Sequence, residues 1–198
     1  YDGTSTAVIT TGTLSGFIGS EKVSASASGN FDSKNAGART ATAIYTLGDD
    51  SVSGGLSGGL AGNYTLSDKS LLSATIAPKA LSATANAAGK TYDASTTASV
   101  SLSGLSGLVG TETLGVSAAG SFDTKNAGTG KTVTVNSVAL QDGANGGLAS
   151  NYQLASGQTA TADIARATLS VSGSSAANKT YDGTSTAVIT TGTLSGFI

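Results

Sequence analysis

Apolar and polar residues alternate in runs along this chain, and the runs are rich in β-branched side chains. They fall at Ser5–Thr10, Val23–Ser28, Thr40–Leu47, Thr97–Leu102, Lys131–Leu140 and Ala160–Ile164. A period of two puts successive side chains on opposite faces of a strand, so each run predicts a half-buried β-strand. No helical stripe of comparable length accompanies them. Glycine interrupts the chain every few residues, which penalises helix by about 1 kcal/mol per interior position relative to Ala and supplies turns. At most one helical turn is expected, over Leu14–Glu21 or Leu105–Thr113. In Lys131–Leu140, Val133 and Val135 alternate, then Val138 and Leu140 continue out of step. Ile44 and Leu47 are spaced by three in the earlier run. A β-bulge is expected in that strand.

Self-similarity organises these strands. Tyr1–Ile18, YDGTSTAVITTGTLSGFI, returns unchanged at Tyr181–Ile198, an offset of 180 residues (181 − 1). A diverged copy opens at Tyr92, so the shorter period is 91 (92 − 1) and then 89 (181 − 92), the size of a small domain. GNFDSKNAG at Gly29–Gly37 matches GSFDTKNAG at Gly120–Gly128, and GGLAGNYTL at Gly58–Leu66 matches GGLASNYQL at Gly146–Leu154. Leu81–Ala85 and Leu169–Val171 lie just upstream of the KTYD stretches and read as first strands. The folding unit is therefore out of phase with the numbering. Residues 1–78 form a repeat without its first strand, 79–166 a complete repeat, and 167–198 the front half of another, with short linkers near Ala77–Ala80 and Ala165–Thr168. The chain opens at Tyr1 without Met and is expected to be an internal fragment. Its two incomplete ends are complementary, so one copy could complete another by strand addition.

Composition narrows the class. With 11% charged residues, ten Phe and Tyr in all and no Trp, the chain must bury Val, Ile, Leu and Ala in small cores, which favours several modest domains over one large one. A slightly positive mean hydropathy argues against disorder. The net charge of −2, with Lys and Arg scattered singly, gives a phosphate backbone nothing to grip, so no nucleic-acid partner is expected. No apolar run approaches the ~20 residues that cross a bilayer. Without Cys or His the usual thiol nucleophile and general base are missing, and no enzyme activity, cofactor or metal is expected.

The stretches KTYDG, SGFIG, GNFDSKNAG, GNYTL and SATIAPKAL resemble the YDG-type repeat of filamentous-haemagglutinin-like adhesins and other giant bacterial exoproteins. The resemblance spans essentially the whole chain. It implies a Gram-negative protein exported by the two-partner pathway to the cell surface or beyond, with repeats forming a stalk, and it brings no catalytic residues. The copy at Tyr92 departs at Ala94, where the signature has Gly, so a left-handed backbone is not expected there in every copy.

The signature residues invite a structural reading. Tyr1, Tyr92 and Tyr181, each followed by an acid (Asp2, Asp93, Asp182), could form aromatic platforms for a sugar, but core rings whose hydroxyls cap backbone groups are the simpler expectation. Phe31 and Phe122 read as core, and Tyr64 and Tyr152 belong to the same repeated motifs. Asn35, Asn63, Asn126 and Asn151 read as turn residues. Asp49 and Asp50 before Ser51 suggest calcium only weakly, since the second copy has Gln141 and Asp142 instead. Asn63–Thr65 and Asn178–Thr180 match the glycosylation acceptor pattern. Glu21 and Glu112 occupy one aligned position in successive repeats and do not form a catalytic pair.

These features predict an all-β protein of tandem immunoglobulin-like sandwiches in an elongated rod, with β-grasp-like repeats as the alternative. The expected function is a structural stalk or filament module of a bacterial surface or secreted adhesin. Its partners would be neighbouring repeats and other copies. The alternative is a multivalent module that binds extracellular glycan or host protein.

Overall fold

The computed structural model describes residues 1–50 and 58–198; Ser51 of the acidic stretch lies outside them. The protein is all-β. In chain order the strands are β1 (Thr6–Ala7), β2 (Val23–Phe31), β3 (Gly37–Asp49), β4 (Lys69–Ile76), β5 (Lys79–Ala80), β6 (Ser82–Ala87), β7 (Lys90–Thr91), β8 (Thr97–Ala98), β9 (Val100–Ser106), β10 (Leu114–Phe122), β11 (Gly128–Asp142), β12 (Tyr152–Gln153), β13 (Thr159–Ala165), β14 (Ser170–Ser172), β15 (Ser175–Ala176), β16 (Ile189–Thr190) and β17 (Thr193–Ser195). Every alternating run identified in the sequence contributes a strand.

The chain folds into two compact units. The first gathers Tyr1–Leu81, Ser106–Gly115 and Leu140–Leu154, and the second Ser82–Leu105, Val116–Ala139 and Ala155–Ile198. The units cut across the sequence repeats, because two segments of the repeat that opens at Tyr92 belong with residues 1–81.

The first unit contains a four-stranded sheet in the order β1-β2-β3-β4. Along β2, Val23 and Gly29 are buried while Ser24, Ser26, Ser28 and Asn30 face solvent, as a period of two requires. Ala41 and Ala43 of β3 supply the opposing buried positions, so the interior is thin and built from small side chains. Gly29 is required by close approach: a Cβ there would lie 2.6 Å from both the Thr42 carbonyl oxygen and Ile9 Cγ1. The expected linker at Ala77–Ala80 is partly strand, because β5 pairs in parallel with β12 through Tyr152↔Lys79 and Gln153↔Ala80.

The second unit is centred on a five-stranded sheet in the order β7-β13-β11-β10-β8, accompanied by the β6-β9 pair. Its core is Ala98, Phe122, Val133 and Ile164, with Tyr92, Val100, Ala87 and Ala162 packed around it. The repeat is reproduced down to register. Thr6 faces Asn30 and Ala7 faces Gly29 in the first unit, while Thr97 faces Ser121 and Ala98 faces Gly120 in the second. From Ala167 onward the side chains are almost all exposed, and only the short pairs β14-β17 and β15-β16 form.

Two local expectations are corrected. Leu14–Glu21 and Leu105–Thr113 carry no helix. Among the described residues the helical turns are 3-10 turns at Ala61–Asn63 and Ala149–Asn151. The acid that ends the preceding long strand steadies each turn: Asp49 accepts the Ala61 N–H at 2.6 Å and Asp142 accepts the Ala149 N–H at 2.7 Å. Strand β3 does carry a register irregularity, as expected, but not between Ile44 and Leu47. There β3 pairs with β2 in unbroken register, Ile44 faces outward and Tyr45 takes the inward position. The irregularity of β3 lies on its other edge, between Ala41 and Ala43 against β4. In β11 the phase does change: Val133 and Val135 are buried, Asn136 and Ser137 are both exposed, and Val138 and Leu140 turn inward again.

Candidate functional site: a tyrosine–glutamate node

The first unit brings the signature tyrosine of one repeat onto the next. The Tyr1 hydroxyl donates to Glu112 Oε1 at 2.6 Å, and the Tyr152 hydroxyl donates to Glu112 Oε2, also at 2.6 Å. The Val109 N–H donates to the Tyr152 oxygen at 3.0 Å. The two phenol rings meet edge to face, with centroids 5.4 Å apart at 79°. A carboxylate that accepts from two phenols forms charge-assisted bonds, roughly twice as strong as neutral ones.

The electrostatics follow from burial. Glu112 is only 8% exposed, and burial pushes its pKa upward, but the two phenol bonds and the nearby Lys34 outweigh it and hold the group below the usual carboxylate value. Burial raises the Tyr1 phenol first, and the bond to Glu112 adds to it, so its pKa reaches about 12. The same two causes raise Tyr152.

Asparagines form a second tie beside the node. Asn151 is fully buried. Its Oδ1 accepts the Ala36 N–H at 2.8 Å, and its Nδ2 donates to Asn35 Oδ1 at 3.1 Å. Asn35 and Asn151 thus act as a contact pair, beyond the turn role expected of them. Gly3 completes the approach: it sits at φ +84°, and a Cβ there would lie 2.7 Å from Val109 Cγ1.

The other copy of the receiving motif has the same internal geometry. The Tyr64 hydroxyl donates to Glu21 Oε2 at 2.7 Å and accepts the Ile18 N–H at 3.2 Å, and Phe17 packs edge to face on the ring at 5.9 Å. Asn63 is exposed and Tyr64 half-buried, whereas their counterparts Asn151 and Tyr152 are buried.

The signature turn itself is preset by its acid. Asp2 Oδ1 accepts the Thr4 N–H at 2.8 Å, Asp93 accepts the Ser95 N–H at 2.9 Å, and Asp182 accepts the Thr184 N–H at 3.0 Å. This turn forces the residue between into the left-handed region: Gly3 at φ 84°, Ala94 at 61° and Gly183 at 73°. The expectation for Ala94 is therefore corrected, since the position is left-handed in all three copies. Lys90 braces the second copy, binding Asp93 at 2.8 Å, the Ser95 and Thr97 carbonyls, and the face of Phe122 at 5.5 Å. That ion pair, aided by the Ser95 bonds, pulls the Asp93 carboxyl down to about 2. Lys179 binds Asp182 and Thr184 in the same way. The sequence shows Glu21 and Glu112 at one aligned position but does not reveal the role they share, nor that of Lys90 and Lys179, which also stand at a matched position in two copies.

The remaining signature residues are placed as follows. Tyr92 packs against the core of the second unit and Phe122 is buried within it, while Phe31 is half-buried. Asn126 is exposed, and together with Tyr92, Arg166, Leu169, Phe197 and Ile198 it lines an open cavity of about 420 Å³. Tyr181 is 93% exposed rather than a core ring. Among the described residues no group of three or more potential metal-binding side chains converges, and no helix is long and apolar enough to cross a membrane.

Repeated strands in matching register, with a tyrosine–glutamate contact carried from one copy to the next, define a tandem-repeat all-β protein. The family model of the YDG domain matches residues 1–71 and 77–162. The chain belongs to the YDG domain family. No curated protein and no solved structure matches it.

Proposed function

We propose that this chain is a structural stalk or filament module of a large bacterial surface or secreted adhesin, built from immunoglobulin-like sandwiches joined end to end. The observation that supports this reading is the Tyr1–Glu112 bond, which commits the defining residue of one repeat to holding its successor. A half-buried side chain whose hydroxyl and ring are already occupied by the next repeat serves cohesion. Nearest-neighbour contacts of this kind make a quasi-one-dimensional array, in which reach grows with repeat number. At the cell surface such an array would space or link cells and carry a distal binding region outward.

Small-angle scattering on this chain, and on versions lengthened by further repeats, tests the reading. The maximum dimension should grow in proportion to repeat number. Growth as roughly the 0.38 power of length, as for a compact globule, would sink it.

A further inference from the structure

We propose that Asn145–Gly146 is a site of spontaneous deamidation, and that the reaction loosens the segment presenting Glu112. The bonds concerned lie inside the first unit, whatever the array of repeats is for.

Asn145 is the one asparagine of the chain that is followed by glycine. Both residues are exposed and left-handed, Asn145 at φ 58° and Gly146 at 85°, and the Gly147 N–H closes the turn on the Ala144 carbonyl at 3.2 Å. This is the Asn-Gly pattern of a type I′ turn. Among the described residues the Gly146 N–H meets no acceptor, so its nitrogen is available to lose a proton and attack the Asn145 side-chain carbonyl carbon. Glycine has no Cβ to hinder that approach and turns readily into the backbone angles it requires. As the new N–Cγ bond closes a succinimide ring, the Cγ–Nδ2 bond breaks and ammonia leaves with the proton given up by Gly146. Water then opens the ring at either carbonyl. The products are aspartate, or isoaspartate with the main chain rerouted through Cγ.

The leaving nitrogen is also the one that anchors the loop. Asn145 Nδ2 donates to the Thr111 carbonyl at 2.9 Å. The Ala144 N–H donates to Thr113 Oγ1 at 2.8 Å, and the Ala144 carbonyl accepts the Thr113 N–H at 3.2 Å. The loop thus holds the chain on both sides of Glu112. Deamidation replaces the Nδ2 donor by a carboxylate oxygen, which faces the Thr111 carbonyl with no proton to share. It also sets a negative charge beside the residue that precedes Glu112, where like charges repel. Isoaspartate adds an atom to the main chain of the turn as well. Ring opening by water is not reversed, so the loosening accumulates with age.

Ageing the intact, folded chain in mildly alkaline buffer, followed by peptide mass mapping, tests this. The peptide carrying Asn145 should exchange NH2 for OH at least about tenfold faster than any peptide carrying another asparagine, with isoaspartate among the products. In urea titration, the aged chain and Asn145→Asp should both shift the folding equilibrium of the first unit about threefold to tenfold toward the unfolded state, as loss of one hydrogen bond implies. Asn145→Gln, whose amide lies one methylene further from the main chain, should show neither the exchange at this position nor the loss with age. A chain that exchanges only when unfolded in urea would overturn the proposal, as would exchange at Asn145 that leaves the first unit's midpoint unchanged. Loss with age that persists in Asn145→Gln would overturn it too. The aged chain starts folded, so the test holds even where Asn145→Asp does not fold.

Discussion

Asn151 reaches Asn35 across 116 residues of sequence, its Nδ2 donating to Oδ1 at 3.1 Å while its own Oδ1 takes the Ala36 N–H. Removing that fully buried side chain leaves the part-buried Ala36 N–H without its acceptor, which costs about 1–3 kcal/mol. Asn151→Ala should therefore lower the stability of the first unit by this amount in urea titration. Asn63→Ala, made at the exposed counterpart, should stay within about 0.5 kcal/mol of the parent.

The node sets a stability window in pH. Glu112 has its folded pKa below the ordinary value, so its contribution is present above that value and is lost as pH falls through the folded pKa. Tyr1 lies higher in the folded state, so its contribution is complete below pH 10 and is lost as pH rises through about 12. Thermal melts across pH should show both limbs. Glu112→Gln should remove the acid limb of the node and soften the alkaline one only in part, because burial remains the larger cause of the Tyr1 shift.

Ala94 carries a side chain where the Asp93 turn demands a left-handed backbone. An L-residue there costs about 1–2 kcal/mol, and glycine gives part of this back as extra freedom in the unfolded chain. Ala94→Gly should stabilise the second unit by about 0.5–1 kcal/mol. Gly3→Ala should do the opposite in the first unit, adding a clash with Val109 to the strained angle. Denaturation midpoints of the two variants check both signs.

Phe122 is buried among Ala98, Val133 and Ile164 beneath the Lys90 ammonium. In a core this small, Phe122→Ala should cost about 3–5 kcal/mol, a large share of a typical domain's 5–15 kcal/mol. Loss of the cooperative transition of the second unit, followed by circular dichroism, is the expected readout.

The strands were legible in the sequence because a period of two is a local property of Val23–Phe31 and its counterparts. Ala94 was misread because its backbone angle is fixed by the neighbouring Asp93 carboxylate, which residue type at that position does not report. The node was hidden for a different reason. Glu112 stands 111 residues from the tyrosine it holds, and no spacing rule within one repeat links them. What could have exposed it is the pairing of a glutamate at one fixed position with the GNY or SNY tyrosine in each copy, a regularity that turn chemistry does not require.

The most direct measurement is a double-mutant cycle on Tyr1→Phe and Glu112→Gln, followed by equilibrium unfolding of the first unit. A bond that ties successive repeats predicts a coupling energy of about 1.5–3 kcal/mol. Additive effects, with coupling inside about 0.3–0.5 kcal/mol, would mean that the two residues stand side by side without holding anything together.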